Sequence, residues 1–593
     1  MKRILVGGLA CIGGLVVLLV VILGLGLGGL LWTHKGTVPA KTILEVDLTH
    51  GLDEQTPDNP VTGLVLAKSS TVRDVVEALQ RATTDDRVVA LIARVGSAQT
   101  GLAQIQEVRD AILAFRDKGK RAVAFATTFG EFAAGNGAYY LATAFETIYL
   151  QPSGDVGLTG LLAETPFVRG TLDKLDLVPR LDHRQEYKNF MNTFTERHYT
   201  APHREATQRV MESQFAQIVQ GIAAARGLYP GAVQTLIDRG PFLGPEALKA
   251  QLVDALAYRE EVYAQVKEQA GEQAKLLYLS KYLAYAGRPY TTGDTIALIY
   301  GVGAVHLGAS DYDPLMDGST MGADTVTAAF RAAIEDPKVK AILFRIDSPG
   351  GSYVASDAIW RETVRAREAG KPVIVSMGNL AGSGGYFVAA AANKIVAQPG
   401  TITGSIGVLG GKMLTTGLWD KLGLSWDEIH TSTNATLWSS THDYTPEQWE
   451  RLQGWLDRVY DDFTTKVSAG RQLPKEKVLE IAKGRIWTGE DAKERGLVDE
   501  LGGFPVALRL TREAIGRTAD APIRLKLFPE RPAPWEALLA RLLGDEDESS
   551  DPSEATALLG RALRLVQPIL HLARTLGLTA RPDVLTMPEV RIR

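Results

Sequence analysis

The chain runs to 593 residues, enough to bury a large core and to hold more than one structural unit. Its 64 basic and 69 acidic residues leave a net charge of −5, which excludes the basic footprint of a nucleic-acid-binding protein. One cysteine, Cys11, excludes an intrachain disulfide and a cysteine-built metal site; the nine scattered histidines show no ligand spacing, so neither metal nor other cofactor is expected.

Residues 4–32 carry no charge and, as a helix rising about 1.5 Å per residue, would exceed the roughly 30 Å of bilayer hydrocarbon. Lys2 and Arg3 precede them, so the expectation is a single transmembrane helix with a cytoplasmic N-terminus and everything after Trp32 exported. A cleaved signal peptide fits less well, because the run is long and lacks an Ala-x-Ala exit; Gly8-Leu9-Ala10-Cys11 has the look of a lipoprotein site, but the apolar run continues past it. Residues 1–41 are therefore read as N-terminus, spanning helix and tether.

The remainder repeats itself. Residues 87–94 (RVVALIAR) parallel 338–345 (KVKAILFR) at an offset of 251, Gln151-Pro152 parallels Gln398-Pro399 at 247, and Leu252-Val253-Asp254 parallels Leu497-Val498-Asp499 at 245. A slowly drifting offset is what a duplicated unit with small insertions produces. Two similar units are expected, roughly 42–290 and 291–520. Apolar runs alternate in each with amphipathic helical runs, such as Val72-x-x-Val75-Val76-x-x-Leu79, which predicts an α/β fold with mainly parallel sheets. Residues 203–235 and 446–475 read as helical excursions. After about residue 520 the character changes: Asp545 to Glu554 is an acidic run, and Ala555 to Leu576 an amphipathic helix that would dock on an oligomer or lie on a membrane.

Two glycine-rich turns in the second unit draw attention. A strand over 341–347 (AILFRID) runs into Ser348-Pro349-Gly350-Gly351 and a helix from Ser352 to Arg367. A strand over 371–377 runs towards Ala381-Gly382-Ser383-Gly384-Gly385, with helix expected at 389–392. Such turns can supply a nucleophile and an oxyanion hole; a lone serine there can equally be a plain N-cap. The first unit has Asn136 opposite Ser383, Leu158 opposite Ser405, and Ser97-Ala98-Gln99-Thr100 in place of the Ser-Pro-Gly-Gly turn. Serine needs a base. His430, His442 and His571, the histidines after Ser383, stand in no recognisable setting. Lys188, in Glu186-Tyr187-Lys188-Asn189-Phe190, has no lysine counterpart in the second unit, though a lysine beside aromatics is often a surface residue with a packed stem.

The three segments RIDSPGGS (345–352), AGSGGYF (381–387) and TGSIGV (403–408), in this order, resemble the signal peptide peptidase family of the protease IV type, in its long duplicated form. The likeness covers nearly the whole chain after the first forty residues. Gly382 stands where the family more often has Ala or Ser, and Phe387 where Tyr or Trp is usual; neither change removes a catalytic atom. The resemblance implies two tandem crotonase-like (ββα superhelix) domains and a serine endopeptidase. It implies Ser383 as nucleophile, Lys188 of the first unit as general base and Ser405 as the residue that orients the lysine, with Gly350, Gly351 and Gly384 as the oxyanion hole. It further implies a homo-oligomer, a tetrameric bowl, at the cell's inner (plasma) membrane with its domains on the periplasmic side, degrading cleaved signal peptides and other hydrophobic peptides at the lipid bilayer. A lysine that accepts a proton at pH 7 must be neutral there, which disfavours its charged form by roughly 4–5 kcal/mol, from ~3.4 units at 1.36 each. Desolvation can do this if no carboxylate lies close. A non-enzymatic membrane scaffold of the same fold is the alternative; an acyl-CoA enzyme of the crotonase kind would need a cytosolic site.

Overall fold

Runs such as Leu91-Ile92-Ala93 and Ile342-Leu343-Phe344 are apolar at every position, which suits strands covered on both faces. The computed structural model describes residues 36–55, 70–96, 100–313, 318–530 and 585–586. It builds two such sheets.

The first sheet uses β1 (Thr42–Leu48), β2 (Val88–Val95), β3 (Arg121–Ala126), β4 (Thr147–Leu150), β6 (Ala255–Leu256) and β7 (Lys275–Tyr278), in the order β6-β4-β3-β2-β1-β7 with every pair parallel. Helices α1 (Val72–Thr83), α2 (Leu102–Arg116) and α3 (Asn136–Ala142) join its strands. Thr71 starts α1 through a capping box with Asp74, and Val72, Val75, Val76 and Leu79 form its buried stripe. Side chains alternate between two cores. Leu44, Val46, Leu91 and Ala93 face the larger one, and Ile43, Ala90 and Ile92 the other.

The second half repeats the plan. Its strands are β8 (Asp294–Val302), β11 (Val339–Ser348), β13 (Val373–Gly382), β14 (Lys394–Ala397), β15 (Ile402–Gly404), β17 (Ile486–Thr488), β18 (Glu500–Leu501) and β19 (Ile523–Phe528). The path is β17-β15-β13-β11-β8-β19, with β14 beside β13 and β18 beside β14, all parallel except β15 with β17. Helices α5 (Ala323–Glu335), α6 (Tyr353–Glu368), α7 (Gly384–Ala389), α8 (Pro446–Arg471) and α9 (Phe504–Ala514) accompany it. The register carries the duplication in detail. β1 and β2 slip by one residue between Thr42 and Ile43, and β8 and β11 slip between Thr295 and Ile296, which places Ala90 and Ala341 in the same position. Tyr139 Oη donates to the Leu252 carbonyl at 2.7 Å, and its counterpart Tyr386 donates to that of Leu497 at 2.9 Å.

The halves interlock within one chain. β5 (Val178–His183) of the first half pairs antiparallel with β16 (Leu409–Leu414) of the second. The long α4 (Ala201–Arg226) lays Ala206 and Val210 against Ile402 and Ile486, and Arg209 pairs with Asp491 at 2.7 Å.

Several local expectations shift. The strand expected over 371–377 extends to Gly382, and the helix expected at 389–392 is instead Gly384–Ala389. The reason is the turn itself: Gly384 and Gly385 are packed so closely on the neighbouring turn that the helix must begin directly after Ser383. The excursion at 203–235 is α4 plus a separate helix, Pro230–Arg239, and that at 446–475 is α8. The expected spanning helix, the acidic run and the tail helix lie outside the described residues. Among the described residues no helix is long and apolar enough to cross a membrane.

Candidate active site

Ser383 ends up at a sharp strand-to-helix junction because β13 stops at Gly382 and α7 begins at Gly384. Its φ of 52° and ψ of −112° lie where side-chain-bearing residues are seldom found. The surroundings hold it there: its N–H donates to the Gly404 carbonyl and its own carbonyl accepts from Phe387 N–H, both at 2.8 Å. A Cβ on Gly384 would lie 2.7 Å from Ser356 Oγ and 3.0 Å from Gly351 N, and one on Gly385 would lie 2.6 Å from the Ser348 carbonyl. Only glycine lets these two turns meet.

The Ser-Pro-Gly-Gly turn is braced in the same way. Ser348 Oγ donates to the Gly303 carbonyl at 2.6 Å and accepts from Gly350 N–H at 3.2 Å. β12 (Gly350–Gly351) then pairs with β9 (Val305–His306), and α6 starts from a Ser352 cap. Gly350, Gly351 and Gly384 thus stand together beside Ser383.

Lys188 arrives from the other half. The β5–β16 pairing brings its segment across, and backbone bonds from Arg184 N–H to the Val408 carbonyl (2.9 Å) and from Tyr187 N–H to that of Lys483 (3.0 Å) fix it. Its side chain passes between two glycines: a Cβ on Gly407 would lie 3.2 Å from Lys188 Cδ, and one on Gly484 would lie 2.5 Å from Lys188 N. The amine reaches Ser383 Oγ at 2.7 Å, Ser405 Oγ at 3.1 Å and the Ser405 carbonyl at 3.1 Å. Lys188, Ser383 and Ser405 are all fully buried. Burial drives the amine well below its ordinary lysine value, with no charged neighbour acting on it. Whether the pair forms within or between chains was open in the sequence; here one chain makes it.

The first half has the same junction without the chemistry. Asn136 opens α3, and its Oδ1 accepts from Thr159 and Gly160 N–H at 3.0 Å each. The side chain braces the turn. Among the described residues no group of His, Cys, Asp or Glu is placed to hold a metal ion.

The sequence model of peptidase family S49 matches twice, over residues 114–273 and 365–516, once in each half. Protease 4 of Salmonella typhi is 35% identical, with 74% of this chain and 71% of that protein aligned. The chloroplastic serine protease SPPA of Arabidopsis thaliana is 30% identical over 82% of this chain and 70% of its own length. A shorter relative, a putative signal peptide peptidase SppA of Enterococcus faecium, is 35% identical over 28% of this chain and 49% of its own length. The chain belongs to peptidase family S49. It is a serine peptidase, and the scaffold and acyl-CoA alternatives fall away.

One feature of this S49 peptidase was not foreseen. Arg345, buried in β11, forks onto Glu54 at 2.9 and 2.8 Å and also reaches Glu107 of α2 at 2.8 Å. Ser376 Oγ takes its remaining arm at 2.8 Å, and Phe504 N–H donates to Glu107 at 2.5 Å. Both glutamates belong to the first half and the arginine to the second, so a dry ionic clamp ties the halves beside the active-site turns. The sequence did hold a signal: an arginine inside the apolar run AILFRID must find buried counter-charges.

Asp347 borders the clamp and accepts Leu380 N–H at 2.8 Å. Burial, then the nearby Glu54 charge, push its carboxyl up to about 7. Its folded value lies above its unfolded one, so the folded chain holds the extra proton between about pH 4 and 7. Stability from this group is present at the acid end and is lost as pH rises through 7. Asp347→Asn should therefore flatten that slope and raise Tm above pH 7, as read by thermal melts from pH 5 to 9.

Gly484 tests the lysine's path. Its φ is 77°, and an added methyl would overlap Lys188 N, Cα and Cβ within 2.5–2.7 Å. Gly484→Ala is expected to lower kcat at least about 100-fold, the scale of an ångström-sized misplacement, with circular dichroism unchanged.

Proposed function

We propose that this S49 peptidase is a membrane-anchored endopeptidase that uses Ser383 and Lys188 to degrade cleaved signal peptides. The observation that carries the reading is the 2.7 Å approach of Lys188 Nζ to Ser383 Oγ in a buried site where no carboxylate pairs with the amine. A neutral amine has two N–H groups and one lone pair. The Ser405 carbonyl can only accept, so it takes one N–H; Ser405 Oγ takes the other. The lone pair is left facing the Ser383 hydroxyl, which donates to it. Ser405 is thus the positioning residue for the base.

Ser383 Oγ attacks the peptide carbonyl carbon as its proton passes to Lys188 Nζ. Backbone N–H groups of Gly351 and Gly384, joined by that of Gly350 once it leaves Ser348 Oγ, stabilise the oxyanion. Lys188 returns the proton to the leaving amine, the C–N bond breaks, and an acyl ester on Ser383 remains. Water adds to the ester as Lys188 takes its proton, and collapse releases the acid and restores the serine hydroxyl.

Each half adopts a crotonase-like fold in this reading, over roughly 42–290 and 291–520. The apolar segment 4–32 anchors the protein in the inner membrane with its N-terminus cytoplasmic, which places the peptidase at the outer surface where spent signal peptides lie. The signal peptide peptidase named among its relatives supports that substrate class. Exposed Leu422, Leu424, Trp426, Ile429 and Trp438, all on the segment between β16 and α8, support a homo-oligomer, a tetramer, in which another copy covers them. The test is turnover of a synthetic signal peptide in detergent, with fluorophosphonate labelling in parallel. Wild type should cleave and label, and Ser383→Ala should do neither. A labelled and active Ser383→Ala would end the assignment.

A further inference from the structure

A single turn, residues 482–485, holds both segments that present the lysine amine. The Lys483 carbonyl accepts Tyr187 N–H at 3.0 Å, and the Arg485 carbonyl accepts Ser405 N–H at 2.7 Å. Between them Gly484 N–H donates to the Ile406 carbonyl at 2.8 Å. Lys483 and Gly484 both have positive φ, 53° and 77°, so the turn is irregular and needs bracing. The Arg485 side chain supplies it. Its guanidinium lies 4.8 Å from the centre of the Tyr187 ring and 4.3 Å from that of Trp487, and Nη2 bonds Glu205 of α4 at 2.6 Å. Trp487 is fixed in turn by its indole N–H, which donates to the Ile481 carbonyl at 2.9 Å. A guanidinium stacks on aromatic rings through its planar face, which an ammonium lacks. Only 15% of the side chain is exposed, and its Nε is buried with no hydrogen-bond partner among the described residues. An unpaired buried donor costs stability, so the stack is kept against that cost.

The duplication shows that the fold does not require this side chain. β15 and β17 place Thr403 opposite Trp487, and the first half places Val156 opposite Phe242, antiparallel in both cases. Arg485 stands two residues before Trp487, and Gly240 two before Phe242. A Cβ on Gly240 would lie 2.0 Å from the carbonyl of Leu158, the residue in the place of Ser405. The half that lacks both Ser383 and Ser405 thus makes this turn with no side chain at all.

We propose that Arg485 is a positioning residue for the base: through Tyr187 on one side and Ser405 on the other, it sets where the Lys188 amine sits and keeps water from it. The inference rests on the reading of Ser383 and Lys188 as the reacting pair. Tyr187 and Arg485 both line a cavity of about 420 Å³ whose walls also carry Glu186, Lys483 and Arg495, while Lys188, next in the chain, is fully buried. Loss of the guanidinium frees the Tyr187 ring and opens that charged cavity towards the amine. Hydration favours the charged form of a lysine, so the ionisation that governs activity moves up.

The test compares wild type, Arg485→Met and Arg485→Lys as full chains on a quenched-fluorescence signal peptide, with thermal melts alongside. Methionine keeps the bulk of the side chain; lysine keeps the charge for Glu205 but loses the planar stack. In both variants kcat at pH 7 should fall about 10- to 100-fold, with KM within about 2-fold of wild type. The rising limb of kcat/KM should move about one unit towards higher pH. A side chain that only ties the halves through Glu205 would instead lower Tm and leave the limb in place, and lysine would restore the rate. A limb at the wild-type position in both variants, or wild-type kcat in Arg485→Lys, overturns the proposal; should Arg485→Met fail to fold, Arg485→Lys decides alone. Turnover that survives in Lys188→Met would overturn the reacting pair on which the proposal stands.

Discussion

Lys188→Met is expected to abolish peptidase activity and to leave a protein that is more stable than wild type at neutral pH. Loss of the proposed general base removes at least about 10³-fold in kcat. The stability gain follows from the site. The amine is fully buried and its pKa is depressed by desolvation, so folding must strip a proton that the unfolded chain keeps. Between the folded and unfolded values the unfolded state binds more protons, and wild-type stability rises with pH across that window. Methionine fills much the same volume and has nothing to deprotonate. It leaves the Ser405 carbonyl short of a donor, at about 1–3 kcal/mol, less than the roughly 4–5 kcal/mol needed to neutralise a lysine at pH 7. The advantage over wild type should shrink as pH approaches that of an ordinary lysine. Turnover by Lys188→Met, or a lower Tm than wild type at every pH, would count against the buried neutral amine.

Arg345→Met should be the most damaging single change outside the reacting groups. It leaves Glu54 and Glu107 in a dry interface beside Asp347 with no cation among them. Stranding buried charge in this way costs about 3–5 kcal/mol. Because the clamp crosses between halves that each carry one member of the Ser383–Lys188 pair, activity should fall along with stability. Adding Glu54→Gln and Glu107→Gln should recover much of the stability, since replacing a whole buried ionic group costs far less than breaking it. Urea unfolding of the three proteins, wild type, Arg345→Met and the triple variant, measures this. An Arg345→Met protein as stable as wild type would show that the clamp carries no net energy.

The sequence disclosed the α/β pattern and the duplication because both are local and periodic. Ala90 and Ala341 occupy equivalent ladder positions, as the repeat implied. The site was legible in pieces. Ser383 announced itself by glycines on both sides, and Lys188 by having no counterpart in the second half. Their meeting was not legible, because it depends on β5 crossing to pair with β16, residues more than 200 positions apart in a contact with no local signature. The positive φ of Ser383 and Ser405 was hidden for the same reason: only tertiary packing holds a side-chain-bearing residue there. Arg345 was visible as an oddity, but its partners Glu54 and Glu107 lie in a different half, with nothing in their own neighbourhoods to mark them. The helix boundary after Ser383 was missed because alanines at 389–392 have high helix propensity, whereas the close approach of two turns put glycines in the helix instead.

The central claim is that a desolvated, uncharged Lys188 activates Ser383 across the two halves. The pH dependence of kcat/KM for a neutral peptide, set beside the rate of Ser383 phosphonylation over the same range, measures it most directly. Both should rise along one shared ionisation lying well below that of an ordinary lysine, and Lys188→Met should lose the limb and the rate together. A limb that persists in Lys188→Met, or a wild-type limb at the ordinary lysine position, would contradict the account.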